Sequence, residues 1–325
     1  MNRMTVGKAF KTTRIVVSVA FLSFITIAIV LDAEVVSLVE STQILPMAFA
    51  MSFGMIVFWL LFTALFGRIY CSSVCPIGTI QDAVSRTGRL TSKGRRRTYH
   101  YKQPLTTLRY TVFAIVALAF LAGMAALPLA IDPYSVYSRF LTDILKPMLA
   151  YCGMGAMEAH VGLATLLSVA FTMVALLMML VPALCNGRLF CNTICPVGTM
   201  LGLVSRQSVW RIDIDTDLCT HCRRCEQVCK ASCIDLNDHV VDGSRCVNCF
   251  NCLDACRDKA IFYRPTRKQL SIPMMQRLDE KVGQATIQPP VAQSQEYQCD
   301  TKKRNIPLKN ETISRPAQTR DGQRR

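Results

Sequence analysis

Two runs of cysteine dominate the chemistry open to this chain. Cys219-x2-Cys222-x2-Cys225-x3-Cys229 is followed by Cys246-x2-Cys249-x2-Cys252-x3-Cys256. This is the bacterial ferredoxin spacing, stated twice: three closely spaced thiolates wrap one face of an iron–sulfur cube, and the fourth reaches across to the other cube. The spacing predicts one [4Fe–4S] cluster on Cys219, Cys222, Cys225 and Cys256, and a second on Cys246, Cys249, Cys252 and Cys229. Zinc takes four ligands in two pairs and would leave half of these cysteines idle. The proline that usually closes each run is replaced by Lys230 and Arg257, which bears on local backbone and not on ligation. Cys233 is a spare thiol able to stand in for Cys229, although Cys229 has the spacing of its counterpart Cys256. Ile234 and Ile261 follow the runs at comparable places and are expected to pack between the clusters, while His221 reads as a solvent-side residue. Such a pair of clusters passes single electrons and performs no bond chemistry of its own.

A second cysteine pattern is also duplicated. "RIYCSSVCPIGTIQDAVSR" runs from Arg68 to Arg86 and "RLFCNTICPVGTMLGLVSR" from Arg188 to Arg206. Each holds a Cys-x3-Cys-Pro motif, Cys71–Pro76 and Cys191–Pro196. Positions i and i+4 of a helix share a face, so each pair can present two thiols together. Proline behind the second cysteine stops the preceding helix or begins the next. The Gly-Thr that follows suits a turn into an amphipathic stretch lying at an interface. Three readings of Cys71, Cys75, Cys191 and Cys195 stay open. They are buried structural thiols at helix ends, redox-active dithiols, or four ligands converging on one metal or cluster across a pseudo-twofold axis.

The elements that must hold these residues are membrane helices. Of 325 residues, 51% are hydrophobic, and four stretches carry no charge: 15–31, 44–66, 110–131 and 161–184. Roughly 17–25 apolar residues cross the hydrocarbon core, so four transmembrane helices are expected. The first is too long for a signal peptide's apolar region and is read as an uncleaved helix. The loop between Arg68 and Arg109 is rich in Lys and Arg, whereas 32–43 has none and 132–160 has only Arg139 and Lys146. Both termini are therefore expected in the cytoplasm, and the chain is expected to be multi-pass. Each half then has two helices followed by a cysteine pair, an internal duplication of the kind seen in membrane carriers. All cysteines but Cys152 fall on the cytoplasmic side, where metal binding is favoured over disulfides.

The expected architecture is an all-α membrane domain over residues 1–207, a small α+β ferredoxin domain with two [4Fe–4S] clusters over 208–265, and a polar, basic tail over 266–325, read as disordered. The formal charge of +15 is accounted for by the basic loop and tail at a membrane surface and calls for no nucleic acid. Haem is not expected: His100, His160, His221 and His239 all lie outside the charge-free stretches, and axial ligation needs histidines within spans. Glu158, His160 and Asp132 are conceivable proton acceptors near the outer face, but read as solvated loop residues. No phosphate loop, nucleophile triad or catalytic carboxylate pair stands out.

Four spans, two Cys-x3-Cys-Pro motifs and a double ferredoxin run together resemble the NapH/NosR/CcoG-type membrane ferredoxins, and among them the NapH-type quinol dehydrogenase component, over roughly residues 10 to 265. The resemblance implies an inner-membrane protein that takes electrons from quinol and passes them to ferredoxin-like or cytochrome partners of a respiratory or periplasmic reductase. It implies an electron carrier that serves as a quinol dehydrogenase component rather than a stand-alone catalyst, and ligation by the eight ferredoxin cysteines. The CcoG-like relatives imply an alternative, a reductase or assembly factor handling copper for a terminal oxidase. The Met-rich stretches around Met51, Met55 and Met179 fit that reading only weakly, because Met at helical spacing in a span is ordinarily packing.

Overall fold

The computed structural model describes residues 3–31, 42–44, 53–91, 98–152 and 163–265, with 273, 274 and 276. Helix α1 (Arg3–Val30) runs unbroken for 28 residues. Helix α2 (Phe53–Phe66) stops at Gly67, whose φ of +78° is the left-handed conformation that ends a helix. A single turn, α3 (Tyr70–Ser73), carries Cys71, and Pro76 opens α4 (Pro76–Thr91). The second half begins with α5 (Thr106–Leu121), α6 (Ala126–Ile131) and α7 (Pro133–Phe140). A π-helical stretch, Leu141–Leu145, leads into α8 (Lys146–Tyr151), and α9 (Leu163–Asn186) follows. That half closes on α10 (Leu189–Thr193) and α11 (Pro196–Ser205).

Among the described residues, two helices are long and apolar enough to cross a membrane, Val6–Val30 and Leu166–Asn186, at the places of the first and fourth expected spans. The second expected span is helical over its last 14 residues; residues 45–52 lie outside those described. The third, 110–131, is not one helix. It breaks after Leu121 at Gly123, φ +76°, and α6 and α7 turn back into the bundle. Ile131, Tyr134, Val136 and Tyr137 share one buried cluster with Tyr70, Cys71 and Ile77. Glycine supplies the left-handed turn, and Pro128 and Pro133 cannot donate the backbone bonds a continuous helix needs. The segment "IQDAVSR", expected at an interface, lies in α4 and packs against α9: Gln81 donates to the Met179 carbonyl at 2.9 Å.

The remaining described chain is the small α+β unit expected from the cysteine runs. Strands β1 (Arg211–Ile214) and β4 (Ile261–Arg264) pair antiparallel with Ile212 opposite Tyr263. Between them come the turn α12 (Arg224–Gln227), the hairpin β2 (Ile234–Asp235) and β3 (Val240–Val241), and α13 (Asn251–Ala255). This head is seated on the helices. The last carbonyls of a helix have no partner within it, and those of α2 are taken by the head. Val209 N–H donates to Ala64 and Trp210 N–H to Leu65, both at 2.8 Å, and the Tyr263 hydroxyl donates to Phe66 at 2.8 Å. The start of α1 packs on it too, with Lys11 paired to Asp254 at 2.7 Å and Phe10 stacked near Phe250. Met274 is buried in the core of the head, so packed structure continues past the expected boundary at 265; the rest of the expected tail, apart from residues 273 and 276, lies outside the described residues.

Candidate iron–sulfur sites

The eight ferredoxin cysteines fall into two cavities. Cys219, Cys222, Cys225 and Cys256 line one, together with Ile214, Leu236 and Ile261. Cys246, Cys249, Cys252 and Cys229 line the other, together with Ile212, Ile234 and Val241, with Cys233 added as a fifth thiol. Cys229 and Cys256 have each crossed to the other run, the exchange the spacing predicts.

The backbone repeats with the cysteines. His221, Arg223 and Ser232 have positive φ, and so do Asn248, Phe250 and Lys259, the same three positions 27 residues on. Left-handed residues are uncommon without glycine, and turns of this kind aim successive N–H groups inward, forming the anion-holding nests found at iron–sulfur sites. Burial pushes the Cys225 thiol up to about 12 and raises Cys249 and Cys252 as well. These thiols are protonated without metal, so iron binding must release protons. The Cys229 and Cys233 sulfurs lie 3.5 Å apart, and that hydrogen bond lowers Cys229 while raising Cys233. Cys229 is thus the easier thiolate of the two. His221 is exposed, edge-on to the His239 ring at 4.4 Å.

The two Cys-x3-Cys-Pro motifs also come together. Cys71, Cys75, Cys191 and Cys195 are all more than 90% buried, in one cluster. Their local geometry repeats at an offset of 120 residues. Cys75 N–H donates to the Tyr70 carbonyl and Cys195 N–H to the Phe190 carbonyl, each at 3.1 Å. Pro76 and Pro196 each sit where a helix starts and the proline's missing N–H costs nothing. Cys195 caps its helix, its sulfur accepting from Gly198 N–H at 3.3 Å. Gly78 and Gly198 fit against the carbonyls of Cys71 and Cys191, where a Cβ would overlap the oxygen. Burial raises the Cys75 and Cys195 thiols, and the neighbouring cysteines raise them further.

Two arginines bind the halves together. Arg68 donates to the Cys191 carbonyl at 3.2 Å, to Asn192 Oδ1 at 2.8 Å and to the Ser244 carbonyl at 2.9 Å. Arg188 donates to the Cys71 carbonyl and pairs with Asp82 at 3.0 Å. Asp82 also pairs with Arg14 and with Lys230, the latter at 3.3 Å. Burial alone would raise this carboxyl, but Arg188, Lys230 and Arg14 outweigh it and hold Asp82 well below the usual carboxylate range. None of Arg68, Arg188 or Asp82 was singled out by sequence as functional, although an arginine stands three residues before both cysteine pairs. Asp132, read as a solvated loop residue, is 3% exposed. It caps α7 by accepting from Ser135 N–H at 2.9 Å and from the Ser135 hydroxyl at 3.0 Å. Glu158 and His160 lie outside the described residues.

The head is oriented by its second cavity. Val247 and Cys249 pack into the cluster that holds the four motif cysteines, whereas Cys222, at the first cavity, is exposed. Gly67 (φ +78°) faces Asn248, and Gly187 (φ +63°) faces the Lys230 carbonyl so closely that a Cβ would overlap it.

Two cavities walled by cysteines at ferredoxin spacing are the arrangement that suits iron–sulfur clusters. The family model described as a 4Fe-4S binding domain matches residues 47–97 and 165–214, the two halves that carry the Cys-x3-Cys-Pro motifs. The chain is 26% identical to the putative electron transport protein YccM of Escherichia coli, over 65% of this chain and 55% of that one. It is 27% identical to the methylamine utilization ferredoxin-type protein MauN of Paracoccus denitrificans, over 57% and 56%. It is 25% identical to the ferredoxin-type protein NapH of Haemophilus influenzae, over 66% and 68%. The chain thus spans little more than half the length of YccM and MauN. Over these spans the chain is similar to ferredoxin-type proteins of electron transport, NapH, MauN and YccM among them. No solved structure matches it.

Proposed function

We propose that this chain carries electrons from membrane quinol, through two [4Fe–4S] clusters in its head, to a soluble or membrane-bound redox partner of a respiratory or periplasmic reductase. One observation carries the reading: two cysteine-walled cavities stand in series, one against the buried helices and one with an exposed cysteine. Cys246, Cys249, Cys252 and Cys229 hold the inner cluster, and Cys219, Cys222, Cys225 and Cys256 the outer. Each cluster supplies a site for one electron at a time. The chain's own part is to fix the cavities against the helices, through the Phe66 carbonyl, Gly67 and Gly187, and to leave the Cys222 edge open to a partner.

In this reading four segments cross or enter the bacterial inner membrane, with both termini cytoplasmic. The contact between the start of α1 and the head supports a shared side for the two, and the break at Gly123 makes the third crossing a bent one and not a single straight helix. Asp132, a buried carboxyl whose charge acts on the equally buried Tyr70, is suited to take a quinol proton. The test is anaerobic reduction of the detergent-purified protein by a soluble quinol analogue, followed by EPR. Both head clusters should become reduced. Clusters that respond to dithionite but never to quinol would rule out the quinol reading and leave the carrier role standing.

A further inference from the structure

Arg68 and Arg188 are the largest fully buried side chains of the described residues, at 0% and 1% exposure. A buried cation needs a counter-charge or it is costly. Arg188 shares Asp82 with Arg14 and Lys230, three cations on one carboxylate. Arg68 bonds only neutral acceptors among the described residues, one of them the Cys71 sulfur at 3.8 Å. Arg68 Nε and Arg188 Nη2 have no hydrogen-bond partner among the described residues. Arg109, buried nearby on the Gly198 and Ser244 carbonyls, adds another cation whose Nε is also unpartnered. Positive charge thus exceeds negative charge around the four motif cysteines, and unspent N–H donors remain there.

Four neutral thiols do not balance this charge, nor do two disulfides. Four thiolates on a dipositive iron–sulfur core do, because together they make a dianion. A single tetrahedral ion has the same charge but a tighter shape: metal–sulfur bonds of about 2.3 Å draw its sulfurs to within about 4 Å of one another. A zinc ion there would be redox-inert, whereas an iron–sulfur core passes electrons, and Cys249 of the inner head cavity packs into the same cluster as the four motif cysteines. Each half brings only two cysteines, and each half's arginine grips the other half's motif.

We infer that Cys71, Cys75, Cys191 and Cys195 jointly hold one further iron–sulfur cluster, shared across the pseudo-twofold axis and balanced by Arg68 and Arg188. It lies at the membrane end of the series, beside the cavity that Cys249 enters. This goes beyond the two head clusters and stands whether or not quinol is the donor.

The test is iron and acid-labile sulfide per chain on the anaerobically reconstituted full-length protein. Two cubes account for about eight irons, so the count should rise to about ten for a two-iron core or about twelve for a third cube. In C71S/C191S the excess should vanish while the EPR signals of the head clusters persist. A wild-type count of eight, an excess that survives the substitutions, or zinc in place of the additional iron would each overturn the inference. If the double variant does not fold, Cys75→Ser is read by the same criteria, and a wild-type count of eight is decisive by itself.

Discussion

Arg68 Nη2 donates to the Cys191 carbonyl at 3.2 Å, across the boundary between the two halves, and Arg188 returns the bond to Cys71. Arg68→Ala would strip a partner from the Cys191 carbonyl and from Asn192 Oδ1, both buried acceptors, while the Ser244 carbonyl keeps Arg109. Leaving such a group unsatisfied costs about 1–3 kcal/mol, so the expected loss is several kcal/mol and a markedly lower melting temperature in detergent. Arg68→Lys should recover less than half of it, because one ammonium cannot serve divergent acceptors as a guanidinium does. An unchanged melting temperature in Arg68→Ala would show that the cross-half bonds contribute nothing.

Asp82 is the counter-charge for Arg14, Arg188 and Lys230. Its carboxyl is depressed in the fold, so its contribution is fully present above the unfolded value near 3.9 and is lost as pH falls below that. Asp82→Asn leaves three cations unbalanced at neutral pH, a loss on the order of 3–5 kcal/mol for a broken buried pair. Melting followed from pH 7 to pH 3 should show wild type dropping steeply below about pH 4, with the variant low throughout and flatter there. A variant that keeps the wild-type slope would place the acid sensitivity elsewhere.

The grouping of the cysteines was legible in the sequence because spacing is a local property: Cys256 lines one cavity with Cys219, and Cys229 lines the other with Cys246. The 120-residue duplication was visible for the same reason, down to the arginine before each pair. Burial was not legible. Asp132 follows a charge-free stretch that reads as a span, and only the turn at Gly123, folding α6 and α7 back toward Tyr70, puts that carboxyl in the interior. Gly123 sits within an apolar run whose hydropathy hides the break. The meeting of Cys71 with Cys191 depends on tertiary packing, which spacing does not encode.

Cys229 and Cys233 compete for one place in the inner cavity. Cys229 matches Cys256 in the 27-residue repeat, whereas the position matching Cys233 is Ala260. Cys229 also has the lowered thiol, through its hydrogen bond with Cys233. Cys229→Ser is therefore expected to lose the inner cluster's EPR signal or convert it to a three-iron form, while Cys233→Ser keeps both clusters. Equal losses in the two variants would mean that the inner cluster exchanges between these ligands.

Gly67 and Gly187 carry the seat of the head on the helices. Both need a left-handed backbone, and at Gly187 a Cβ would also meet the Lys230 carbonyl. Left-handed backbone costs an L-residue about 1–2 kcal/mol, before the overlap is counted, and 1.4 kcal/mol is about a tenfold change in an equilibrium. In Gly187→Ala the head's own core, built on Ile212, Ile214, Ile234 and Val241, is untouched, so dithionite should still reduce both clusters. Their reduction by a quinol analogue should fall by about tenfold or more, because the seated geometry is less populated. If quinol reduces the variant at the wild-type rate, electrons enter the head by a route that does not need the seat at Gly187.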